Sequence, residues 1–377
     1  MKNSKWKSAA LSGLRELAEY SYDKLLLIHS PPHRSISYGG AGIAYAFWKA
    51  ACVLDSPEWL NQARFLIDHV AAAPEDGRLA KLPLHEAGEF DVQVEDSLFY
   101  GNRGLQFAQI LIGHAEDNPN LYEKALKLFI SPESKRMKQQ ELLQGIAGRL
   151  IGCALLYRQT ALTDLKSYGD ALAADLMETA NISDHNIPWA DNHRLGMAHG
   201  RAGNYYALLR WSAESGYKLP EWVYNGLHDY AVSAIPQKHG ISWPIDEREE
   251  SRYMNSWCNG APGLILLWEL AYRTSNNDPL FLDTALAAGE YCVHLGAYSY
   301  GHLCCGAAGV SYAMLCLNRI NPEGPWLEHA YRFAEQARQG LMIKHWRMSL
   351  YHGLAGVICL MLDLDNVQEA QQPIMEG

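Results

Sequence analysis

A Gly-x-x-Gly element occurs seven times in this 377-residue chain, and every copy opens an apolar run. The first glycines are Gly39, Gly101, Gly145, Gly200, Gly260, Gly306 and Gly353, paired with Gly42, Gly104, Gly148, Gly203, Gly263, Gly309 and Gly356. Successive copies lie 44 to 62 residues apart, room for two helices of about 11 residues and their connections. The intervening segments 58–72, 121–130, 163–180, 218–234, 279–294 and 325–341 carry apolar residues at helical spacing, and 5–28 supplies a first such helix. Ser56-Pro57-Glu58 and Asn277-Asp278-Pro279 read as helix starts, with a polar residue ahead of a proline near the first helical position. Continuous period-two strand patterns are scarce, which confines any hairpin to the connections. The expected fold is all-α: one domain over 1–377, a seven-fold α/α toroid with a double ring of inner and outer helices. Glycine at the motif lets neighbouring inner helices crowd together at one end.

That arrangement directs the residue before each motif towards a central mouth. Those residues are Tyr38, Tyr100, Gln144, His199, Asn259, Cys305 and His352, all polar or reactive. Cys304-Cys305 stands directly before the sixth motif, and Cys258, in Ser256-Trp257-Cys258-Asn259-Gly260, stands before the fifth. Three sulfurs at adjacent helix entrances compose a soft, tetrahedral zinc site with an open fourth position. The competing reading is that all three pack as small hydrophobes. Cys52, Cys153, Cys292, Cys316 and Cys359 sit inside apolar helical patterns and are expected to pack in that way.

A formal net charge of -10 excludes a generic nucleic-acid binder, which needs a basic face. No signal-peptide segment follows the basic start Met1-Lys2-Asn3-Ser4-Lys5, and no run reaches the roughly 18 apolar residues of a membrane span. The expectation is a cytoplasmic protein without a disulfide framework. Pro31-Pro32-His33 reads as an ordinary loop, and Asp246-Glu247-Arg248-Glu249-Glu250 as a solvated connection that could also touch a basic substrate segment.

Over nearly its whole length the sequence resembles the lanthionine synthetase C-like cyclases. The motifs that carry the resemblance are Gly196-Met197-Ala198-His199-Gly200, Trp257-Cys258-Asn259-Gly260-Ala261-Pro262-Gly263 and Cys304-Cys305-Gly306. The resemblance implies a seven-fold α/α toroid in which Cys258, Cys304 and Cys305 hold Zn2+. It also implies thioether formation: cysteine thiols of a dehydrated precursor peptide add to dehydroalanine or dehydrobutyrine, giving lanthionine or methyllanthionine rings. His199 is then the proton carrier, as acid or as base. Glu141 stands about where family members carry an aspartate that faces the zinc and meets the histidine. The family's arginine ahead of the Trp-Cys motif has only Arg252 nearby, with Met254 in the aligned place. Trp257 would wall the site, and His193, His302 and His352 rank below His199.

One departure matters. The family's histidine after the second cysteine is Cys305 here, as in the Cys-Cys-Gly subgroup of lanthipeptide synthetase cyclase domains. A third thiolate adds negative charge to the site. Members of that subgroup carry a dehydratase ahead of the cyclase, and this sequence begins at Met1 without room for one. The expectation is a stand-alone cyclase with a separate dehydratase, or an excised domain. Other readings are an enzyme adding glutathione to dehydroamino acids, and a glutathione-binding or scaffold protein whose structural zinc is closed by a fourth protein ligand. A prenyltransferase or glycosidase toroid fits less well, because a glycosidase uses paired carboxylates where this chain has sulfurs.

Overall fold

In the computed structural model each first glycine ends an extended turn, and a helix begins on the next residue. The residues described are 4–24, 34–72, 96–132, 140–180, 188–189, 191–249, 251–296, 298–342 and 347–377. Pro31-Pro32-His33 and Glu250 lie outside them. The glycine-led helices are α2 (Gly40–Leu54), α4 (Asn102–Ala115), α6 (Ile146–Thr160), α8 (Arg201–Ser215), α10 (Ala261–Thr274), α12 (Ala307–Ile320) and α14 (Leu354–Asp363). Between them come α1 (Ser4–Lys24), α3 (Pro57–Ala72), α5 (Pro119–Phe129), α7 (Thr163–Glu178), α9 (Glu221–Val232), α11 (Pro279–His294) and α13 (Trp326–Gln339).

The two sets differ as their sequences require. Glycine-led helices are buried on all sides over most of their length, as in α8 from Arg201 to Trp211. The others bury one stripe, as α13 does with Trp326, Ala330, Phe333, Ala334 and Ala337. Each fully buried large side chain in such a stripe, Phe333 among them, contributes about 1.5–3 kcal/mol of apolar burial. The expected start at Asp278-Pro279 is realised: the Asp278 side chain accepts from the Leu280 N–H at 3.0 Å. The 218–234 segment is shortened to Glu221–Val232 because Pro220 occupies the N-cap. Among the described residues, strand is confined to Ile235–Pro236 paired with Ile241–Ser242, a hairpin in a connection.

The chain forms two compact units, Met1–Arg136 with Met342–Asp365, and Met137–Leu341 with Asn366–Gly377. In the first, α14 packs on α1 and α2, and α2 continues to α3 and α4. In the second, α6, α8, α10 and α12 pack in series, with α7, α11 and α13 folded back on α6, α10 and α12. Helix α9 stands off from α8 and meets it through the Tyr205 and Tyr230 rings, 6.1 Å apart. A cavity of about 240 Å³ lies there, lined by Arg201, Tyr205 and Asp229 among others.

The second unit also contains a buried ionic network that the sequence did not reveal. Arg319 bonds Glu269 at 3.2 Å and the Ala370 carbonyl at 2.9 Å, and pairs closely with Glu376. Tyr206 donates to the Met375 carbonyl at 3.0 Å. The 370–376 segment is thereby fastened to α8, α10 and α12.

Candidate metal centre

Six of the seven entrance turns share one construction, the fourth having Gly196 at the capping place. Four residues before the first glycine, a side chain caps the N–H of the residue just before that glycine. Ser35 accepts from Tyr38 at 3.1 Å, Ser97 from Tyr100 at 3.0 Å, Ser256 from Asn259 at 3.3 Å and Ser349 from His352 at 3.3 Å. In the third repeat Glu141 does the same for Gln144 at 2.9 Å, and in the sixth His302 Nδ1 accepts from Cys305 at 3.3 Å. These competing side-chain bonds keep the turn out of the helix. The second glycine is sterically required: a Cβ on Gly309 would overlap the Leu303 carbonyl oxygen of its own turn and lie 3.2 Å from Cβ of Trp257 in the preceding repeat. The expected crowding between neighbours is present, and the helix's own turn adds to it.

Backbone bonds then join turn to turn. In the second unit Leu143 N–H donates to Ala198 (3.3 Å), Ala198 to Cys258 (2.8 Å) and Cys258 to Cys304 (3.4 Å). In the first unit Tyr351 donates to Ser37 (3.1 Å) and Ser37 to Phe99 (3.0 Å). All of these residues stand two before a first glycine. The ladder carries Cys258 to Cys304 across 46 residues of chain.

The result is a cluster of three sulfurs. Sγ of Cys258 and Cys305 are 3.4 Å apart, those of Cys305 and Cys304 are 3.4 Å apart, and all three lie within 4.8 Å of one another. Thiolates around zinc at about 2.3 Å would stand about 3.8 Å apart in a tetrahedron, so the donor set and its spacing fit Zn2+. Cys258 and Cys304 are buried and Cys305 half-buried. Hydrogen bonding from Cys304 and Cys305, with Ser256 behind them, holds the Cys258 thiol well below the usual thiol range. Hydrogen bonding to Cys258, together with burial, pushes Cys304 and Cys305 well above it. One thiolate therefore forms first and makes the next two harder to form.

Two further predicted residues meet each other. Glu141 Oε2 lies 3.2 Å from Nδ1 of His199, both partly buried. The same carboxylate accepts the Leu143 N–H at 2.9 Å and the Gln144 N–H at 2.9 Å, so its position is fixed by its own turn. Asn192 donates to the His199 carbonyl at 2.9 Å and steadies the other side of the pair.

The remaining candidates are placed elsewhere or packed. Trp257 is fully buried. His302 is buried and spends Nδ1 on its turn cap. His193 is exposed and bonds Glu247 at 2.8 Å. His352 stacks on Tyr38 at 4.6 Å, with Tyr100 at 5.5 Å from Tyr38, so three of the mouth-position rings gather in the first unit. Arg252 is exposed and pairs with Glu249 at 3.4 Å.

Two expectations need correction. Cys52 is exposed, because it falls in the last turn of α2, beyond the fully buried run that ends at Ala51. The acidic run is paired as well as solvated: Asp246 holds Arg248 within it at 2.7 Å, and Glu247 holds Arg201 and His193 outside it. The capping serines and Asn259's amide near Cys258 escaped the sequence reading. Their signal was a serine four residues before four of the seven first glycines.

An all-α array of glycine-capped hairpins, presenting three sulfurs and a carboxylate–histidine pair, defines a helical-repeat protein with a thiolate cradle of metal-binding composition. The family model described as "Lanthionine synthetase C-like protein" matches residues 30–376, and the chain belongs to that family. The chain is 28% identical over 194 residues to glutathione S-transferase LANCL1 of Danio rerio, covering 50% of this chain and 47% of that protein. It is 28% identical over 187 residues to LanC-like protein GCL1 of Arabidopsis thaliana, covering 47% and 42%. The match thus spans about half the length of these curated relatives. Among solved structures, nisin cyclase superposes with a TM-score of 0.70 at 16% identity, over 95% of this chain and 94% of that one. This likeness of fold is consistent with the expected α/α toroid. Among the described residues no helix is long and apolar enough to cross a membrane.

Proposed function

We propose that this protein is a zinc-dependent lanthipeptide cyclase, joining cysteine thiols of a dehydrated precursor peptide to dehydroalanine or dehydrobutyrine as thioethers. The observation that carries the reading is the convergence of Cys258, Cys304 and Cys305 at linked helix entrances. Cys258, Cys304 and Cys305 would hold Zn2+, which would supply a Lewis acid favouring the thiolate form of an incoming thiol. In the addition a carbon–sulfur bond forms at Cβ, the alkene electron pair moves to Cα, the thiol gives up its proton and Cα gains one. His199 is the proton carrier in this reading. The Glu141 carboxylate beside Nδ1 favours a proton on that nitrogen, which leaves Nε2 as the atom that accepts or donates. Glu141 is a positioning residue, held by two backbone N–H groups.

A substrate of this kind requires a prior dehydration of serine or threonine, so a separate dehydratase is the expected partner. A reducing cytoplasm suits eight free cysteines. The printed name of one relative, a glutathione S-transferase, supports a second reading, in which glutathione adds to dehydroamino acids in proteins. A non-catalytic glutathione-binding or scaffold role with structural zinc is the third.

The three readings separate in one experiment. The zinc-loaded protein is incubated with dehydrated precursor peptides, and with a dehydroalanine peptide plus glutathione, while free thiols are counted by alkylation and mass. Thiol loss within the precursor supports the cyclase, and a glutathione adduct alone supports the second reading. Neither product, with zinc bound, defeats both enzymatic readings.

A further inference from the structure

The repeat supplies its own control for a residue at the sulfur cluster. Ser35, Ser97, Ser256 and Ser349 hold the same place in four entrance turns and make the same cap. Only Ser256 has a cysteine two residues on, where the others have Ser37, Phe99 and Tyr351. Its Oγ lies 3.2 Å from Cys258 Sγ, and Ser256 is 2% exposed. The hydroxyl's lone pairs already receive the Asn259 N–H, and its single hydrogen remains for the sulfur. A Cys258 thiolate bound to a metal would have no hydrogen to give, and the bond would then run from O–H to sulfur. Asn259 Nδ2 approaches the same sulfur at 3.6 Å. Among the described residues, the side-chain hydrogen bonds of the Cys304 and Cys305 sulfurs are with thiols.

We infer that Ser256 is a positioning residue for the Cys258 ligand, donating a hydrogen bond that orients this one sulfur and draws charge from it in a site with one more thiolate than the family pattern. The inference rests on the reading of the cluster as a zinc site. Three thiolates leave a divalent ion with a net charge of about -1, and a donor aimed at one sulfur makes the three ligands inequivalent. Groups that hydrogen-bond metal ligands typically change metal affinity 10- to 100-fold when removed.

The test uses the full chain with Ser256→Ala, Ser256→Thr and Ser349→Ala. Each is loaded with Co2+ to record the thiolate-to-metal absorption band, titrated with zinc against a chromophoric chelator, and melted. Both alanine variants lose a turn cap and should lose similar stability. Only Ser256→Ala should move the band to lower energy and weaken zinc about 10- to 100-fold, and Ser256→Thr should restore both. Should Ser256→Ala fold poorly, Ser256→Gly replaces it, since Gly196 occupies the same place in the fourth repeat. An unmoved band with unchanged affinity, or an equal loss in Ser349→Ala, reduces Ser256 to a cap and overturns the inference while the zinc reading stands. A parent chain that binds neither ion overturns both.

Discussion

Glu141 has two roles that its repeat allows to be separated. The carboxylate caps its own turn as serine does in four sister turns, and it also faces His199. Glu141→Ser should keep the cap and remove the contact with His199, whereas Glu141→Ala removes both. At 3.2 Å a fully charged pair has a gross attraction of about 5 kcal/mol at an effective dielectric of about 20. Desolvation and solvent screening of two partly exposed groups offset most of it, leaving roughly 1.5–3 kcal/mol for a charge-assisted hydrogen bond. If that interaction holds His199 in its working tautomer, Glu141→Ser should slow cyclisation about 10- to 100-fold, with zinc content unchanged and little loss of stability. Glu141→Ala should be equally slow and lose about 1 kcal/mol more in stability, the usual effect of a missing cap. The assay is single-turnover thiol consumption on a dehydrated precursor, beside a denaturant melt. Parent-like rates for Glu141→Ser would show that the carboxylate is only a cap and refute the orienting role.

Cys305→His removes one negative charge from the ligand set and should lower the cyclisation rate at equal zinc content, since an all-thiolate set leaves the incoming sulfur more electron-rich; an unchanged or faster rate counts against this. Zinc affinity should rise with pH, because Cys304 and Cys305, held above the usual thiol range, must each release a proton to bind the metal. Competition titrations from pH 6 to 8 measure the slope, and a flat profile would contradict the thiol assignments. Gly309→Ala should destabilise by about 1–3 kcal/mol and reduce zinc binding, because the new methyl group displaces the turn that carries Cys304 and Cys305. Gly216→Ala, at a positive φ with open space around it, should cost about as much stability and leave zinc affinity alone.

The helical array was legible because its signals are local. The seven glycine pairs, the apolar runs behind them and the Asp278-Pro279 start act within a few residues of chain, where periodicity and capping operate. The site was legible only in part. Cys258, Cys304, Cys305, His199 and Asn259 could be named from their places before the glycines, and Glu141 from the family resemblance, but the cap made by Ser256, the approach of the Asn259 amide to Cys258 and the double duty of Glu141 could not. Those depend on which side-chain atoms meet, and a serine four residues before a glycine looks alike in all four turns. Cys52 misled because its apolar neighbours continue past the point where α2 stops being covered.

By itself, then, the sequence determined the alternation of buried and one-sided helices, and the residue types available at each helix entrance. Tertiary structure decided the atoms by which Cys258 lies against Cys304 and Glu141 reaches His199, adjacencies that the repeat order and the family resemblance only anticipated. The reason is that those meetings depend on N–H to carbonyl bonds between turns, from Leu143 to Ala198, Ala198 to Cys258 and Cys258 to Cys304. Backbone groups are common to all residues, so no choice of side chain announces which turn will stand beside which. Packing of one inner helix on the next settles it, and the sulfurs are brought together as a consequence.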